Sequence, residues 1–186
     1  MYHLRTLQKA KLLEKTSAGL YQLTADGLHY ADSLSLENLQ PRIQPKIVTL
    51  LACQNAAGEW LLYRRGRQPF HGLLGFPYGK IHLGEAIQDA AERELKEKTG
   101  LVAKLAHTGD AYLTVFQQDE IISQMFCHVF TGSNATGIVK EKSEIGECSW
   151  QLVNNINDDY MPGFREIFNH LKTGERFFDQ IVIRKK

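Results

Sequence analysis

Short apolar runs recur along the chain after residue 45, and their spacing predicts strands. The runs IVTLLACQ and EWLLYRR flank the turn sequence NAAG, which predicts a strand, a turn and a second strand. Later runs that are rich in β-branched and aromatic residues predict further strands: LVAKLAHT, AYLTVFQ, IISQMFCHVF, CSWQLV and FFDQIVIR.

Two stretches carry the spacing of helices instead. The first, from Glu85 to Lys98, places its apolar residues on one arc: Ile87, Ala90, Ala91 and Leu95. The second, PGFREIFNHLK, begins at Pro162 and forms one apolar stripe: Phe164, Ile167, Phe168 and Leu171. Helices that interrupt a set of strands in this way predict an α/β fold, with a mixed sheet and helices packed on it.

The first 34 residues follow a different pattern. A short helix between Tyr2 and Lys15, a turn within TSAGLYQLT and a helix in TADGLHYADSL, capped by Thr24 or Asp26, give the order helix, hairpin, helix. The stretch SLENLQPRIQP has two prolines and little periodicity, which is typical of a linker. We therefore expect a small segment over residues 1–34, a linker over 35–45 and the main domain over 46–186.

Length and composition allow one well-buried domain with a small appendage. The 186 residues are 43% hydrophobic and carry a net charge of +1, so no overall attraction to nucleic acid or to an acidic membrane is expected. No apolar run approaches the roughly 20 residues that span a bilayer. Three cysteines without a CxxC pair, and the absence of a signal-like start, favour a reduced cytoplasmic location.

The acidic helix raises the first chemical question. Glu94 and Glu97 fall inside or at the edge of its apolar arc. A carboxylate turned towards a core costs several kcal/mol unless it is paired, protonated or bound to a cation. Two acids one turn apart can share Mg²⁺, although they can also pair with Arg93 and Lys98 on a solvated helix. The preceding loop, GLLGFPYGKIHLGE, favours a ligand site because its glycines permit close backbone approach.

The segment from Gly79 to Leu101 resembles the Nudix box, G-x5-E-x7-R-E-U-x-E-E-x-G-U, in which U is aliphatic. The fixed positions are Gly79, Glu85, Arg93, Glu94, Leu95, Glu97, Gly100 and Leu101, with Lys98 in place of the second acid of the adjacent pair. The resemblance extends over residues 46–155, including the late strand SEIGECSW with Trp150. It implies an α/β/α sandwich with a mixed sheet that hydrolyses a nucleoside diphosphate linked to another group, using Mg²⁺ or Mn²⁺.

The resemblance also implies residue roles. Glu94 and Glu97 would bind the metal, and Glu94 would also orient or deprotonate the attacking water. Gly79 would offer its carbonyl to a metal, and Arg93 would pair with Glu85 to brace the helix. Candidate residues for binding the substrate phosphates are basic: Arg64, Arg65, Lys80 and Lys98. For the arginines, a solvated strand end is an equally simple interpretation.

Lys98 removes a carboxylate and adds a positive charge beside the expected cation, which weakens metal binding. Three outcomes are open. One metal stays on Glu94 and Glu97 and supports slow hydrolysis, or the domain binds a nucleotide without cleaving it. In the third, another acid completes the site, and the candidates are Asp119, Glu120, Glu144 and Glu147.

The N-terminal segment resembles the second half of a winged-helix DNA-binding domain: the end of the recognition helix, the wing and the next helix. A helical arm for packing or dimerisation is the alternative. The main rival to a hydrolase is therefore a degenerate Nudix domain that senses a nucleotide within a transcriptional regulator. A homodimer is expected in either case, because the short segment must bury its apolar side.

The sequence gives little support for a metal-binding or nucleophilic role of the histidines and cysteines. His71 and His82 flank the glycine-rich loop and are interpreted as loop residues, since no His/Cys spacing suits zinc. Cys127 beside His128 suggests a thiol nucleophile, but neighbours on a strand point to opposite faces. That pair is expected to divide between core and surface.

Overall fold

A computed structural model describes residues 2–143 and 146–185. The chain forms two compact units, Met1–Gln44 and Pro45–Lys186, and the division between them falls at the end of the predicted linker. None of the helices among residues 2–143 and 146–185 combines the length and the apolar composition of a membrane span.

The first unit has the predicted order of helix, hairpin and helix. Its elements are α1 (Tyr2–Lys9), β1 (Leu13–Lys15), β2 (Tyr21–Leu23) and α2 (Ala25–Ser33). The first helix is shorter than predicted, because Lys11 has a φ of 58° and turns the chain into the hairpin. Thr24 caps α2, as one of the two predicted alternatives, by accepting a hydrogen bond from the Gly27 N–H at 3.0 Å.

The predicted linker is an ordered turn of the first unit. The Ser35 N–H donates to the Gln40 carbonyl at 2.8 Å, and the Arg42 N–H donates to the Ser33 carbonyl at 2.9 Å. Among residues 3–44, no large apolar side chain is buried. Several apolar side chains of this unit are well exposed, namely Leu20, Leu28, Leu36, Leu39 and Ile43.

The second unit contains eleven strands and two helices in the described part of the chain. The strands are β3 (Lys46–Gln54), β4 (Trp60–Arg65), β5 (Leu74–Gly75), β6 (Tyr78–Lys80), β7 (Leu101–Val102), β8 (Leu105–Gln117), β9 (Glu120–Ser133), β10 (Thr136–Gly137), β11 (Lys142–Ser143), β12 (Gly146–Gln151) and β13 (Phe177–Lys185). The helices are α3 (Ile87–Thr99) and α4 (Phe164–Thr173).

Nine of these strands form one sheet, which contains both parallel and antiparallel pairs and so confirms the predicted mixed sheet. The main path runs β11-β12-β4-β3-β9-β8-β13, with β5 paired to β4 and β6 paired to β3. The β3–β9 and β8–β13 pairs are parallel, and the other pairs are antiparallel. The small pair β7–β10 stands apart from the sheet.

Alternating side chains of β3 show the two packed faces. Val48, Leu50 and Ala52 enter a core cluster with α4, whereas Leu51 and Cys53 enter a second cluster with α3. The sheet therefore lies between two helical layers, as an α/β/α sandwich requires. The apolar stripe of α4 is buried at all four predicted positions.

Helix α3 differs from its predicted form at its first turn. It begins at Ile87 rather than Glu85, and the Ile87 side chain is exposed instead of contributing to the core. Ala90, Ala91 and Leu95 are fully buried as predicted. The helix ends at Gly100, which has a left-handed φ of 77° that favours glycine.

Candidate active site

The Glu94 carboxylate packs against the backbone of Gly79. A Cβ atom on Gly79 would lie 1.8 Å from the carboxylate carbon and from Oε2, far inside van der Waals contact. Gly79 lies on β6 opposite Thr49 of β3, and Glu94 is only 6% exposed. Glycine at position 79 thus allows an acid on α3 to sit directly on the sheet.

Arg93 connects the loop to both acids of the helix. Its Nε and Nη2 donate to the two oxygens of Glu85 at 2.7 and 2.8 Å, so the predicted Arg93–Glu85 pair is formed in bidentate geometry. Nη1 donates to Glu94 Oε1 at 2.8 Å and to Glu97 Oε2 at 3.3 Å. Nη2 also donates to the Lys80 carbonyl at 3.1 Å, so one guanidinium fixes β6, the loop and α3 together.

Glu85 holds the loop before α3. Its Oε2 accepts a hydrogen bond from the His82 N–H at 3.0 Å, in addition to those from Arg93. The Arg93 hydrogen bonds, followed by the one from His82, lower the pKa of the Glu85 carboxyl to about 2. The same pairing raises the pKa of the Arg93 guanidinium.

Lys98 points into the site. Its Nζ lies 3.3 Å from Glu94 Oε2, and its side chain is only 18% exposed. Both oxygens of Glu94 are therefore paired with a cation, Oε1 with Arg93 and Oε2 with Lys98. This arrangement satisfies a buried carboxylate that would otherwise be costly.

Glu97 lies on the solvent side of the helix. The sequence placed it inside or at the edge of the apolar arc, but its side chain is 61% exposed. The position is at the margin of the buried face, and the carboxylate turns outward towards Arg93. Of the two acids on α3, Glu94 is therefore deeply buried and Glu97 is exposed.

The donor set suits one hard divalent cation. Carboxylate oxygens from Glu94 and Glu97 are ligands that Mg²⁺ and Mn²⁺ accept, and the close approach at Gly79 leaves room for the Glu94 carboxylate. Beside Gly79 in the sheet, the fully buried Thr49 Oγ1 has no hydrogen-bond partner among the described residues. A cation at Glu94 Oε2 would displace the Lys98 ammonium, because both groups require the same oxygen.

The predicted phosphate-binding residues occupy different environments. Arg64 is exposed, and its Nη1 donates to the Gly72 carbonyl at 2.7 Å. Arg65 is only 7% exposed, and its guanidinium donates to Pro69, Gln68 and the Tyr78 hydroxyl. This geometry favours a role for Arg65 in bracing the loop over one in binding substrate.

Lys80 lies on the opposite sheet face from Glu94. It follows Gly79 on β6 and pairs with Val48, whose side chain belongs to the α4-side core cluster. Its backbone carbonyl, rather than a described side-chain contact, joins it to Arg93.

Three of the four alternative acids have exposed side chains. Asp119 is almost fully exposed in the β8–β9 turn and pairs with Arg184 at 3.3 Å. Glu147 on β12 pairs with Lys142 at 3.7 Å, and Glu120 is exposed at the start of β9. Glu144 lies outside the described residues.

Cys127 and His128 divide between the two sheet faces, as expected. Cys127 is buried in the α4-side core, and burial raises the pKa of its thiol to about 12. His71 and His82 are exposed loop residues, also as expected. The sequence interpretation missed the polar contact of His128, however, because its partner Asp110 comes from another strand.

A family model described as the NUDIX domain matches residues 44–171. An uncharacterized Nudix hydrolase, YvcI of Bacillus subtilis, is 28% identical over 111 residues, which cover 59% of this chain and 70% of the relative. An ADP-ribose pyrophosphatase of Methanocaldococcus jannaschii is 42% identical over 45 residues, which cover 24% of this chain and 27% of that enzyme.

Solved structures share the fold. A MutT protein from Bacillus halodurans superposes with a TM-score of 0.62 at 24% identity, covering 74% of this chain and 89% of its own. The Nudix domain of Shewanella oneidensis NrtR, solved with ADP ribose, gives a TM-score of 0.57 at 13% identity. That match covers 81% of this chain and 98% of the NrtR domain.

The contact between Gly79 and Glu94 can be tested by a double-mutant cycle. Gly79→Ala is expected to destabilise the protein by about 1–3 kcal/mol, because the added methyl group overlaps the Glu94 carboxylate. In a Glu94→Ala background the same substitution is expected to cost less, since the overlapping group is absent. Urea unfolding of the four proteins measures the coupling free energy. An equal cost in both backgrounds would contradict the contact.

The Glu85–Arg93 pair predicts a pH dependence of stability. The pKa of Glu85 falls from 4.5 to about 2 on folding, so its stabilising contribution is present above pH 4.5 and is lost as the pH falls towards 2. Glu85→Gln is expected to lower the melting temperature at neutral pH and to flatten the loss of stability in this acid range. Thermal melts across the range measure both effects, with Glu92→Gln, exposed on the same helix, as the control. Parallel acid profiles for Glu85→Gln and the wild type would disprove the assignment.

Proposed function

Because the chain belongs to the Nudix family, we propose that it is a hydrolase that cleaves a phosphoanhydride bond in a nucleoside diphosphate linked to another group. The observation that carries this proposal is the buried Glu94 carboxylate, which lies against Gly79 and is held by Arg93. Cleavage of a phosphoanhydride bond requires a carboxylate held in a fixed position, since the transition state is stabilised mainly by positioned charge.

Glu94 and Glu97 would hold one Mg²⁺ or Mn²⁺ ion, with the Gly79 carbonyl as a further ligand. Such an ion, when bound, neutralises charge on the diphosphate and lowers the pKa of a bound water. Glu94 would orient the water or accept its proton, a role supported by the contacts of its carboxylate with Gly79 and Arg93. Arg93 and Glu85 would position the metal ligands, since their bidentate pair holds the loop before α3 against the helix.

A compound of the ADP-ribose type is the proposed substrate class. One sequence relative is named an ADP-ribose pyrophosphatase, and one structural neighbour was solved with ADP ribose. Of the basic residues, Arg64 and Lys98 are proposed to contact phosphate. Arg64 is exposed beside the glycine-rich loop, and Lys98 already directs its ammonium into the site.

Lys98 is proposed to weaken activity without abolishing it. Its ammonium pairs with Glu94 Oε2 at 3.3 Å, so metal binding must break this ion pair. The lysine stem is flexible, which lets the ammonium move from the carboxylate towards a substrate phosphate. The site thus carries its own counterion when no metal is bound.

Hydrolysis assays test the proposal directly. The purified chain with Mg²⁺ or Mn²⁺ is expected to cleave ADP-ribose or another member of a panel of nucleoside diphosphate derivatives. Glu94→Gln is expected to lower kcat/KM by at least about 100-fold, because it removes the buried ligand. Glu92→Gln, a matched change on the exposed face of α3, should leave turnover near the wild-type value.

A Lys98→Glu variant separates hydrolysis from sensing. It removes the cation beside Glu94 Oε2 and supplies the missing acid, so faster turnover at lower metal concentration is expected. If the wild type cleaves nothing in the panel while Lys98→Glu does, the natural domain is a binding module and the hydrolase proposal is wrong.

A nucleotide-sensing regulator is the second candidate, favoured by the Lys98–Glu94 ion pair and by the basic side chains at the N-terminal helix. Arg5, Lys9, Lys11 and Lys15 are all exposed there, on a helix-hairpin-helix unit that we propose to be part of a winged-helix domain. The exposed apolar side chains of this unit support a homodimer in which a second copy covers them.

DNA binding measured by fluorescence anisotropy tests this candidate. A regulator would bind duplex DNA with a salt-dependent affinity that shifts when ADP-ribose is added. Combining Arg5→Ala with Lys9→Ala would reduce the salt slope by about 2, whereas Lys104→Ala, an exposed change in the second unit, would not. Intact turnover without DNA binding would remove the regulator from consideration.

A further inference from the structure

Three side chains outside the acidic helix converge at one point on the sheet. Nε2 of His107 lies 3.0 Å from Oδ1 of Asp110, and Nδ1 of His128 lies 2.7 Å from the same oxygen. The three ligand atoms all lie within 4.8 Å of one another. Two imidazole nitrogens and one carboxylate oxygen suit Zn²⁺ and related transition metals better than Mg²⁺.

A β-bulge brings these side chains to one face. His107 and Asp110 are three residues apart, so in a regular strand they would point to opposite faces. The β8–β9 register shifts between His107 and Gly109, which leaves Thr108 as an extra residue. His107 then pairs with Phe130 and Asp110 pairs with His128, so all three polar groups emerge on the α3 side of the sheet.

The surroundings orient the rings and leave the cluster open to solvent. The His107 ring packs 5.3 Å from Phe130, and the His128 ring packs 5.1 Å from Phe126, measured between centroids. The side chains of His107, Asp110 and His128 are 39%, 26% and 18% exposed. An ion can therefore enter from water and find ligands whose directions are already restricted.

We propose that His107, Asp110 and His128 bind one transition-metal ion of the Zn²⁺ class. His107 binds through Nε2, Asp110 through Oδ1 and His128 through Nδ1. Three protein ligands leave at least one position for water, which is the arrangement of an open site rather than a closed structural one. Neutral histidines and one carboxylate leave part of the charge of the ion uncompensated, so an anionic group can join it.

The proposed site is separate from the acidic helix. Gly79, Thr49, His128 and Asp110 are successive register partners on β6, β3, β9 and β8. Neighbouring strands lie about 4.8 Å apart, which places the Asp110 backbone about 14 Å from that of Gly79. One ion cannot reach both carboxylates, because metal–ligand bonds are only about 2 Å long. The two sites are therefore expected to fill independently.

Titration with Co²⁺ after chelation tests the proposal, because Co²⁺ in a Zn²⁺ site gives a visible absorption band. With excess Mg²⁺ present to occupy the proposed Glu94–Glu97 site, the full chain is expected to bind one equivalent of Co²⁺ with such a band and to lose the band when Zn²⁺ is added. His128→Gln, His107→Gln and Asp110→Asn should each weaken binding by about 10-fold or more. Melting temperatures measured with and without Zn²⁺ give a second readout, in which the wild type gains stability and the variants do not.

Two controls separate this site from others. His170→Gln removes the histidine of another His–Asp pair, His170 with Asp179 at 2.9 Å, and should leave Co²⁺ binding unchanged. Glu94→Gln should also leave it unchanged, even if hydrolysis is lost. His107 is exposed, so its variant is expected to fold, and circular dichroism verifies this. The absence of saturable Co²⁺ binding would overturn the proposal. Binding that survives His107→Gln and His128→Gln, or that is lost in Glu94→Gln, would also overturn it.

Discussion

The site is organised around one buried carboxylate. Glu94 lies on the sheet at a position that only a glycine at residue 79 leaves open, and its two oxygens face Arg93 and Lys98. An unpaired carboxylate at this depth would cost several kcal/mol, so the cations beside it are a condition of the fold as well as of the chemistry. Arg93 satisfies that condition permanently, because it is fixed by Glu85 and by the Lys80 carbonyl. Lys98 also satisfies it, but another cation can replace its ammonium group at Glu94 Oε2.

Replacement of the Lys98 ammonium by a metal ion is what distinguishes the proposed hydrolase from the proposed nucleotide sensor. A hydrolase needs a cation on Glu94 that also contacts substrate, whereas a sensor needs only a positive site for a diphosphate. The Lys98 ammonium can serve the second purpose where it stands, and it must move to permit the first. The charge at position 98 can therefore shift the balance between binding and turnover, since each unit charge at a few ångströms is worth on the order of 1–4 kcal/mol.

The sequence pattern predicted the layers of the fold and the helix that carries the acids, because burial periodicity governs both. It predicted the Arg93–Glu85 pair only through the family resemblance. It was wrong about the burial of Ile87. Glu97 was predicted inside or at the edge of the apolar arc, and it lies at the margin with its side chain exposed, where a small rotation of the helix decides exposure. The sequence interpretation named pairing with Arg93 and Lys98 as the alternative to a metal site, and Glu94 forms both pairs, but it does so in a buried position rather than on a solvated face of the helix. The His107–Asp110–His128 cluster was missed for a clear reason: its geometry depends on a bulge that shifts the strand alternation.

The most direct test of the account is the location of a divalent ion. Crystals grown with Mn²⁺ and a non-hydrolysable ADP-ribose analogue would reveal the metal by its anomalous scattering. A peak is expected within bonding distance of Glu94, with the Lys98 ammonium moved away from Oε2 towards the analogue. A bound analogue with no peak beside Glu94, and with Lys98 still paired to that oxygen, would contradict it.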